Sequence, residues 1–289
     1  MYEDTLQKAA APELLEITSP FPMEQGRLRL LEPAGTSESE LCERLLKGNY
    51  GKPFILDSNV LRFLHFDFNN IQSAMRRDDP NTLCLAYTRQ MMAFLLFNPD
   101  PRRILLLGLG GGSIAKFCYS HLQSAKITVL EIDPNVIALR EEFSVPADDR
   151  RFEVVQGDGV DYVTRGGPRQ DIILIDACDK FGVAPALAAP AFYSNIRRRL
   201  AAGGVVVINL CGSPYDCASH FARIQGVFGP RVLSLPVRED GNLIVLGFRP
   251  PDRGCDWKEL ALKAQSLERR FGLDFGSFVL KMARAAGAA

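Results

Sequence analysis

Three acidic residues in this sequence stand where carboxylates could bind or activate a small molecule. Glu131, Asp158 and Asp176 each come at or just after the end of a short, mostly apolar run typical of a buried strand. In an open α/β sheet, ligands bind at the carboxyl ends of the strands, where the strand order reverses. The pattern therefore predicts that the three carboxylates line one cleft, where they can accept hydrogen bonds or a proton.

A glycine-rich loop, GLGGGS at residues 108–113, follows the first predicted strand of the sheet. Gly108, Gly110 and Gly111 permit a tight turn and let a ligand approach main-chain N–H groups at the start of a helix. A tight strand-to-helix turn without a ligand is the alternative interpretation. Ser113 stands where the dinucleotide fingerprint Gly-x-Gly-x-x-Gly requires glycine, which disfavours a nicotinamide-dependent dehydrogenase.

The acids after the second and third strands are predicted to bind a nucleoside. Glu131 lies about 20 residues beyond the glycines, a spacing that suits hydrogen bonds to ribose hydroxyls. Asp158 is flanked by glycines, including Gly159, which leave space for a flat ring, and its carboxylate can accept the amino hydrogens of adenine. An ordinary Asp-Gly turn is the alternative there. Asp133 precedes a proline and is predicted to cap a helix instead.

Asp176 is predicted to act in catalysis or substrate binding, because no convincing helix follows it that its side chain would cap. A loop punctuated by glycine and proline follows at residues 180–190. A loop of this length at the ligand-binding edge of the sheet suits a lid. For Asp179, a role in the site and a purely structural role remain open.

Alternating strands and helices must position these residues. The predicted strands of the central region are the apolar runs at residues 104–107, 127–131, 152–156, 172–176, 205–210, 232–236 and 242–248. Several are nearly continuous Ile, Val and Leu, which suits burial on both faces of a parallel sheet. Helix candidates at 135–143 and 192–200 lie between strands. This alternation predicts an α/β fold with a Rossmann-like, doubly wound, mostly parallel sheet.

The patterns on either side of the central sheet predict two further regions. A short helix at 36–48 and a hairpin at 54–67 indicate a small β-containing N-terminal domain at residues 1–80, although the chain before residue 36 is weakly patterned. Residues 81–250 form the predicted catalytic domain. Residues 251–289 are predicted to be a C-terminal helical tail that packs on it.

Composition and charge disfavour several classes of function. The 34 basic and 34 acidic side chains balance, so the chain has no global field that would attract nucleic acid or an anionic membrane. No run approaches the roughly 18 apolar residues of a membrane span, and the N-terminus lacks the features of a secretory signal. The seven cysteines and three histidines have no metal-ligand spacing. We therefore expect a cytoplasmic protein with reduced, buried thiols and no metal site.

Several motifs occur in a defined order along the chain. They are GLGGGS, LEIDP, QGDG, LIDACD, Ala-Phe-Tyr at 191–193 and Ala-Gly-Gly at 202–204, preceded by Gln72 with Ser73 and by Tyr87. As an ordered set covering roughly residues 50–250, they resemble the spermidine synthase family of polyamine aminopropyltransferases. The resemblance implies a transferase with a class I methyltransferase-like fold that binds an adenosyl-sulfonium compound.

The resemblance further implies transfer of an aminopropyl group from decarboxylated S-adenosylmethionine to a di- or polyamine, with release of methylthioadenosine. Asp176 would accept a proton from the attacking amine, assisted by Tyr87, while Glu131 would hold the ribose and Asp158 the adenine. The further substrate-binding residues that it implies are Gln72, Asp179 and Tyr193. Because the donor is a cation and the acceptor a polycation, a carboxylate-lined cleft would concentrate both.

Two positions depart from the family pattern. The family has an aspartate where an ungapped alignment places Gly111, and this acid is expected to pair with the amino end of the donor's aminopropyl arm. Its loss removes a charge-assisted hydrogen bond of about 1.5–3 kcal/mol. A glycine loop without this aspartate would repel the carboxylate of intact S-adenosylmethionine less than a loop that carries it. Lys180 stands where the family commonly has proline, and a cation there would compete with an amine substrate or pair with Asp179.

Three functions follow as alternatives. The first is the aminopropyltransferase, the second is an S-adenosylmethionine-dependent methyltransferase-like enzyme acting on a small amine, and the third is a catalytically silent homologue that binds a nucleoside. By resemblance we expect a homodimer that takes a small-molecule amine and has neither nucleic acid nor a membrane as partner.

Overall fold

The computed structural model of the protein describes residues 12–21, 26–68, 70–179, 182–183, 185–230, 232–239, 241–251 and 254–288. The strands in these ranges are β1 (Pro12–Thr18), β2 (Arg27–Pro33), β3 (Phe54–Asp57), β4 (Leu61–Asp67), β5 (Asn70–Arg76), β6 (Arg103–Leu107), β7 (Lys126–Glu131), β8 (Phe152–Gln156), β9 (Gln170–Ile175), β10 (Cys178–Asp179), β11 (Gly182–Val183), β12 (Leu200–Leu210), β13 (Leu233–Pro236) and β14 (Leu243–Phe248).

The α-helices in the same ranges are α1 (Glu38–Leu46), α2 (Ala86–Met91), α3 (Ser113–His121), α4 (Pro134–Ala138), α5 (Gly159–Thr164), α6 (Pro190–Arg199), α7 (Pro214–Phe228), α8 (Trp257–Phe271) and α9 (Phe275–Ala285). Short 3₁₀ helices cover Met92–Leu96 and Pro185–Ala188. In the described ranges, no helix combines the length and the apolar character that crossing a membrane requires.

The N-terminal region is an antiparallel sheet in which β1 to β5 lie side by side in chain order. The predicted hairpin is confirmed, because β3 and β4 pair antiparallel around a turn in which the Ser58 N–H donates to the Leu61 carbonyl. The sequence pattern predicts no strands before residue 36, but β1 and β2 lie in that weakly patterned stretch. The alternation of Arg27 and Arg29 with buried Leu28 is the signal that identifies β2.

The central sheet has the strand order β13-β14-β12-β9-β6-β7-β8. The five strands from β12 to β8 pair in parallel, and β14 runs antiparallel to both of its neighbours. From β6 the chain first builds outward through β7 and β8, then returns to β9 on the other side of β6. The order therefore reverses between β6 and β9, which confirms the predicted Rossmann-like, doubly wound fold.

Apolar side chains on both faces of this sheet explain why its strands lack polar alternation. In β6, Ile104 and Leu106 join the apolar cluster that includes α8 and α9, whereas Leu105 and Leu107 join the cluster under α6 and α7. A strand covered by helices on both faces must be apolar at every position. Asp133 accepts a hydrogen bond from the main-chain N–H of Asn135, which confirms it as the cap of α4.

An ion-pair network joins the N-terminal sheet to the central region. Arg62 forms two hydrogen bonds with Asp57 on the neighbouring strand, and its Nη1 donates to the carboxylate of Glu142, 2.8 Å away, in the segment after α4. Arg29 also donates to the Glu142 carboxylate at 2.7 Å. These contacts fix the N-terminal sheet against the segment that follows α4. The boundaries predicted at residues 80 and 250 fall between β5 and α2 and after β14, and the domain division stays a prediction.

Lys116 of α3 is only 1% exposed and links the same two regions. Its ammonium donates to the Phe143 carbonyl at 2.7 Å and contacts the Met75 sulfur at 3.1 Å. Burial lowers the pKa of Lys116 to about 8. The folded protein therefore releases this proton at a lower pH than the unfolded chain, and the cost of burying the ammonium fades as the pH rises above 8.

We expect Lys116→Met to stabilise the fold near neutral pH, because methionine fills similar volume without a buried charge. This gain should shrink by about 3 kcal/mol as the pH rises to about 10, where the wild-type lysine is neutral when folded. Urea unfolding of both proteins across this range measures the difference. Lys126→Met, at an exposed position of β7, is the control. If the difference in free energy of unfolding between Lys116→Met and wild type did not change with pH, the burial of a charged ammonium at position 116 would be contradicted.

Candidate active site

A cleft of about 900 Å³ opens at the carboxyl ends of the central strands, at the point where their order reverses. The predicted site residues that line it are Gln72, Tyr87, Gly108, Gly110, Gly111, Glu131, Asp158, Gly159 and Asp176. The three strand-end carboxylates therefore share one cleft, as the sequence predicts. Among the described residues, no group of three or more His, Cys, Asp or Glu side chains is placed to hold a metal ion.

Glu131 ends β7 and is 8% exposed. Its Oε2 accepts the Leu109 N–H of the glycine loop at 2.9 Å, and its Oε1 accepts the Asp133 N–H at 2.9 Å. Each carboxylate oxygen has a second lone pair that can accept from a ligand hydroxyl. Glu131 thus fixes the glycine loop and can also hold a diol in the cleft.

The glycine loop brings the ends of β6 and β9 into contact. Gly108 has a φ of +96°, and a Cβ there would lie 2.0 Å from the main-chain oxygen of Asp176. Only glycine combines this left-handed conformation with such a close approach. The requirement for glycine at 108 is therefore explained by the turn itself, independently of any ligand.

The side chain of Ser73 fills the space beside Gly111. A Cβ on Gly111 would lie 2.6 Å from the Ser73 Oγ and 3.0 Å from a ring carbon of Phe143. The Ser73 Oγ in turn lies 3.3 Å from the Ser113 Oγ, so two hydroxyls meet beside the loop. In this structure an aspartate at position 111 would require Ser73 to move. The side chain of Ser73 therefore occupies the space that the family's aspartate would need.

Asp158 has a structural role that competes with the predicted adenine contact. Its Oδ1 accepts from the Val160 N–H at 2.6 Å and more weakly from the Asp161 N–H at 3.4 Å, and it therefore caps α5. The side chain is exposed at the rim of the cleft. The second carboxylate oxygen lies outside these capping bonds, so an adenine contact would use Oδ2.

Asp176 follows β9 and receives hydrogen bonds from two side chains. The Tyr87 hydroxyl donates to Oδ2 at 3.3 Å, and the Asn209 amide donates to Oδ1 at 2.9 Å. Burial raises the pKa of the Asp176 carboxyl above its usual value, although the bonds from Asn209 and Tyr87 oppose this rise. A carboxylate with a raised pKa is suited to accept a proton, because its basicity is closer to that of a general base at neutral pH.

Asn209 and Asn242 are residues of the cleft that the sequence-based interpretation missed. Asn209 lies near the end of β12, and its Oδ1 accepts from the Asn242 side-chain amide at 2.8 Å. Both line the cleft. A single amide within the apolar run VVVINL is the signal that could have identified Asn209, since a polar group buried in a strand needs a partner.

Tyr193 requires a correction, because it lies away from the cleft. It is 1% exposed within the apolar cluster under α6, and its hydroxyl lies 3.3 Å from the Nδ1 of His220. Tyr193 therefore belongs to the core and not to the residues that contact substrate.

The Asp179 backbone lies in β10, but its side chain is outside the described part of the structure, and Lys180 lies outside the described residues altogether.

The expectation that all cysteines are reduced is also wrong. Cys178 and Cys211 form a disulfide, with their Cα atoms 6.3 Å apart. Both residues line the cleft, each two positions beyond a residue of the Asp176–Asn209 hydrogen bond. Their separation of 33 residues in the sequence gives no local pattern from which this pairing could be predicted.

The comparisons with known proteins agree with this geometry. The family profile described as "Spermine/spermidine synthase domain" matches residues 85–215, which include the glycine loop and Asp176. A polyamine aminopropyltransferase of Chromobacterium violaceum is 40% identical over 229 residues, covering 79% of this chain and 88% of that protein. This chain belongs to the spermine/spermidine synthase family. It is accordingly a transferase.

Two solved structures are similar to the fold of this family member. A probable spermidine synthase from Corynebacterium glutamicum superposes with a TM-score of 0.63 at 22% identity, covering 81% of this chain and 91% of that one. Human methyltransferase-like protein 13, in complex with SAH, superposes with a TM-score of 0.60 at 27% identity, covering 65% of this chain and 93% of that one. The fold is thus common to two kinds of transferase.

Proposed function

We propose that this family member transfers an aminopropyl group from decarboxylated S-adenosylmethionine to a di- or polyamine. The observation that carries the proposal is the position of Asp176. It lies in the same cleft as Glu131, at the reversal of strand order, and its carboxylate contacts the hydroxyl of Tyr87. A basic group beside a nucleoside-binding loop is the arrangement that transfer from a sulfonium nucleoside to an amine requires.

Glu131, the glycine loop and Asp158 hold the donor. Glu131 accepts from the ribose hydroxyls with the lone pairs that remain beside its bonds to Leu109 and Asp133. The Oδ2 of Asp158 accepts the adenine amino hydrogens, and Gln72 contacts the nucleoside from the N-terminal sheet. The carboxylates of the cleft attract the positively charged sulfonium.

Asp176 activates the acceptor. The amine nitrogen attacks the propyl carbon that is bonded to sulfur, the carbon–sulfur bond breaks, and its electron pair neutralises the sulfonium to give methylthioadenosine. The nitrogen loses one proton, which Asp176 accepts while Tyr87 orients the amine. Alignment of nitrogen, carbon and sulfur in one cleft supplies much of the rate. Asp179 binds the amine from the loop after β9.

The test is incubation of the pure protein with decarboxylated S-adenosylmethionine and a panel of di- and polyamines, followed by chromatographic detection of methylthioadenosine. The proposal expects release with at least one amine, matched by an equal amount of extended amine. Absence of methylthioadenosine with every amine, from protein that binds the nucleoside, would contradict aminopropyl transfer and leave a methyltransferase or a catalytically silent homologue.

We expect Glu131→Gln to weaken donor binding by about 10- to 100-fold, because a neutral amide replaces a charge-assisted hydrogen-bond acceptor. One of its two bonds to backbone N–H groups is lost as well, which loosens the glycine loop. Isothermal titration with the nucleoside measures the change. Glu153→Gln, at a half-exposed position of β8 outside the cleft lining, controls for loss of one negative charge. Equal affinities for wild type and Glu131→Gln would exclude Glu131 from the donor site.

A second candidate function is methyl transfer from intact S-adenosylmethionine to a small amine. Gly111 favours it, because the acid that would repel the donor carboxylate is absent and Ser73 fills its place. The similarity to human methyltransferase-like protein 13 in complex with SAH also supports it. Calorimetry with both nucleosides decides between the candidates, since tighter binding of the decarboxylated form excludes the methyltransferase.

The assembly and location of the protein remain part of the proposal. We infer from the family resemblance a cytoplasmic homodimer that uses small molecules and has neither nucleic acid nor a membrane as partner. Light scattering coupled to size-exclusion chromatography measures the mass of the assembly, and a monomer at micromolar concentration would contradict the dimer.

A further inference from the structure

Asn209 is the side chain that connects Asp176 to the neighbouring strand. It is 3% exposed and uses both ends of its amide, donating from Nδ2 to Asp176 and accepting at Oδ1 from Asn242. The antiparallel pairing of β12 with β14 places Asn242 beside it, because Leu210 pairs with Leu243. The result is a chain of hydrogen bonds that runs from Asn242 through Asn209 to the carboxylate.

The hydrogen bonds of this chain all run in one direction, from the Asn242 amide to the Asp176 carboxylate. An amide presents donors at one end and an acceptor at the other, whereas an ionised carboxylate only accepts. When Asn242 donates to the Oδ1 of Asn209, the Asn209 NH₂ group must face Asp176, which matches an ionised carboxylate. With the amide reversed, its oxygen would face the carboxyl, and that arrangement would match only the protonated acid.

We propose that Asn242 is a positioning residue for Asp176, acting through Asn209 by holding its amide with the NH₂ group toward the carboxylate. The proposal rests on the proposed function insofar as Asp176 must be ionised to accept a proton from the amine. It assigns Oδ1 of Asp176 to Asn209 and leaves Oδ2, beside the Tyr87 hydroxyl, for the substrate.

The groups around Asp176 are consistent with this role for the amide pair. Within the described part of the chain, Tyr87 from α2 is a titratable side chain in contact with it, and Cys178 and Cys211 are joined in the disulfide. The other charged side chains that line the described cleft are Lys52, Glu131, Asp133 and Asp158. The contacts that favour the ionised form of Asp176 are hydrogen bonds from Asn209 and Tyr87, and these oppose the effect of burial.

The decisive variant is Asn242→Leu, which removes the donor without adding a charge. We expect the acidic limb of the pH profile of kcat/KM to move to higher pH, because Asn209 is then free to reverse. A shift of one pH unit corresponds to about a tenfold loss of rate on that limb. Asn242→Asp should shift the limb further, since a carboxylate at 242 demands the NH₂ group of Asn209 and turns its oxygen toward Asp176.

Two controls separate the shift of the acidic limb from the effect of an added charge and from a change in the cleft that does not act through Asn209. Asn195→Asp adds a negative charge at a half-buried position of α6 that does not line the described cleft, and it should leave the limb unchanged. In an Asn209→Leu background, Asn242→Leu should have no further effect, because the intermediate amide is gone. A shift from Asn242→Leu that persists in full in that background would overturn the proposal, as would a limb that stays in place in the Asn242→Leu single variant.

A readout without turnover keeps the two proposals distinct. The pKa of the Asp176 carboxyl can be followed by ¹³C NMR of aspartate-labelled protein, with the resonance assigned by its loss in Asp176→Asn. If this pKa rises in Asn242→Leu while no amine is ever alkylated, the positioning role stands and the proposed function fails. If wild type transfers aminopropyl groups and the pKa is the same in Asn242→Leu, the function stands and the positioning role fails.

Discussion

Asp176→Asn is expected to slow aminopropyl transfer by about 10²- to 10⁴-fold, the range lost when a positioned acid or base is removed. Asparagine keeps the size of the side chain but cannot take the proton from the amine. Glu131 and the glycine loop are unchanged, so affinity for the nucleoside should survive. Single-turnover formation of methylthioadenosine and calorimetric titration of the nucleoside measure the two quantities separately.

The pH dependence of wild type provides an internal check on that result. Asp176 works in its ionised form, and burial raises its pKa, so activity should fall on acidification at a higher pH than for an ordinary carboxylate. Asp100→Asn, an exposed position paired with Arg270, is the matched control. If Asp176→Asn retained wild-type turnover, or unfolded, the assignment of Asp176 as the proton acceptor would not hold.

Gly108→Ala is expected to lower the free energy of unfolding by about 3 kcal/mol or more, since it combines an unfavourable backbone conformation with a steric clash. The added Cβ would lie 2.0 Å from a main-chain oxygen of Asp176, and backbone cannot move aside as a flexible side chain can. The ends of β6 and β9 would be forced apart, and the cleft would lose its shape. Denaturant unfolding gives the change in stability.

Gly110→Ala offers a matched comparison two residues along the same loop. Gly110 also has a positive φ, of +51°, but no heavy atom beyond its own residue and its two chain neighbours lies within 4 Å of the position of its Cβ. Its substitution should cost only the backbone preference, about 1–2 kcal/mol. Similar losses for the two variants would mean that the close approach of Gly108 to Asp176 does not govern stability.

The fold was predictable where local pattern and tertiary burial agree. The central strands are apolar at nearly every position, and their carboxyl ends bear Glu131 and Asp176, so the sequence indicates both the sheet and its functional edge. The strand order itself follows from the connections of a doubly wound fold. The first two strands were missed because their alternation is short and lies in a polar, weakly patterned stretch.

The site was only partly predictable, because several of its contacts join distant parts of the chain. Ser73 reaches Gly111 from the N-terminal sheet, and Asn242 reaches Asn209 from the adjoining strand. In both contacts the two residues are far apart in the sequence, so no local sequence pattern predicts that they meet. Tyr193 illustrates the converse, since a motif shared with the family suggested a ligand contact while helix α6 turns the ring into the core.

The disulfide between Cys178 and Cys211 has a practical consequence for all of these measurements. It closes a covalent ring that contains α6 and all of β12. By limiting the conformations of the unfolded chain, a ring of this size raises the free energy of unfolding by about 3–4 kcal/mol. A dithiol reagent in the buffer opens the ring by exchange, taking up the disulfide itself while two thiols form on the protein. Redox conditions therefore belong among the variables held constant whenever variants of this transferase are compared.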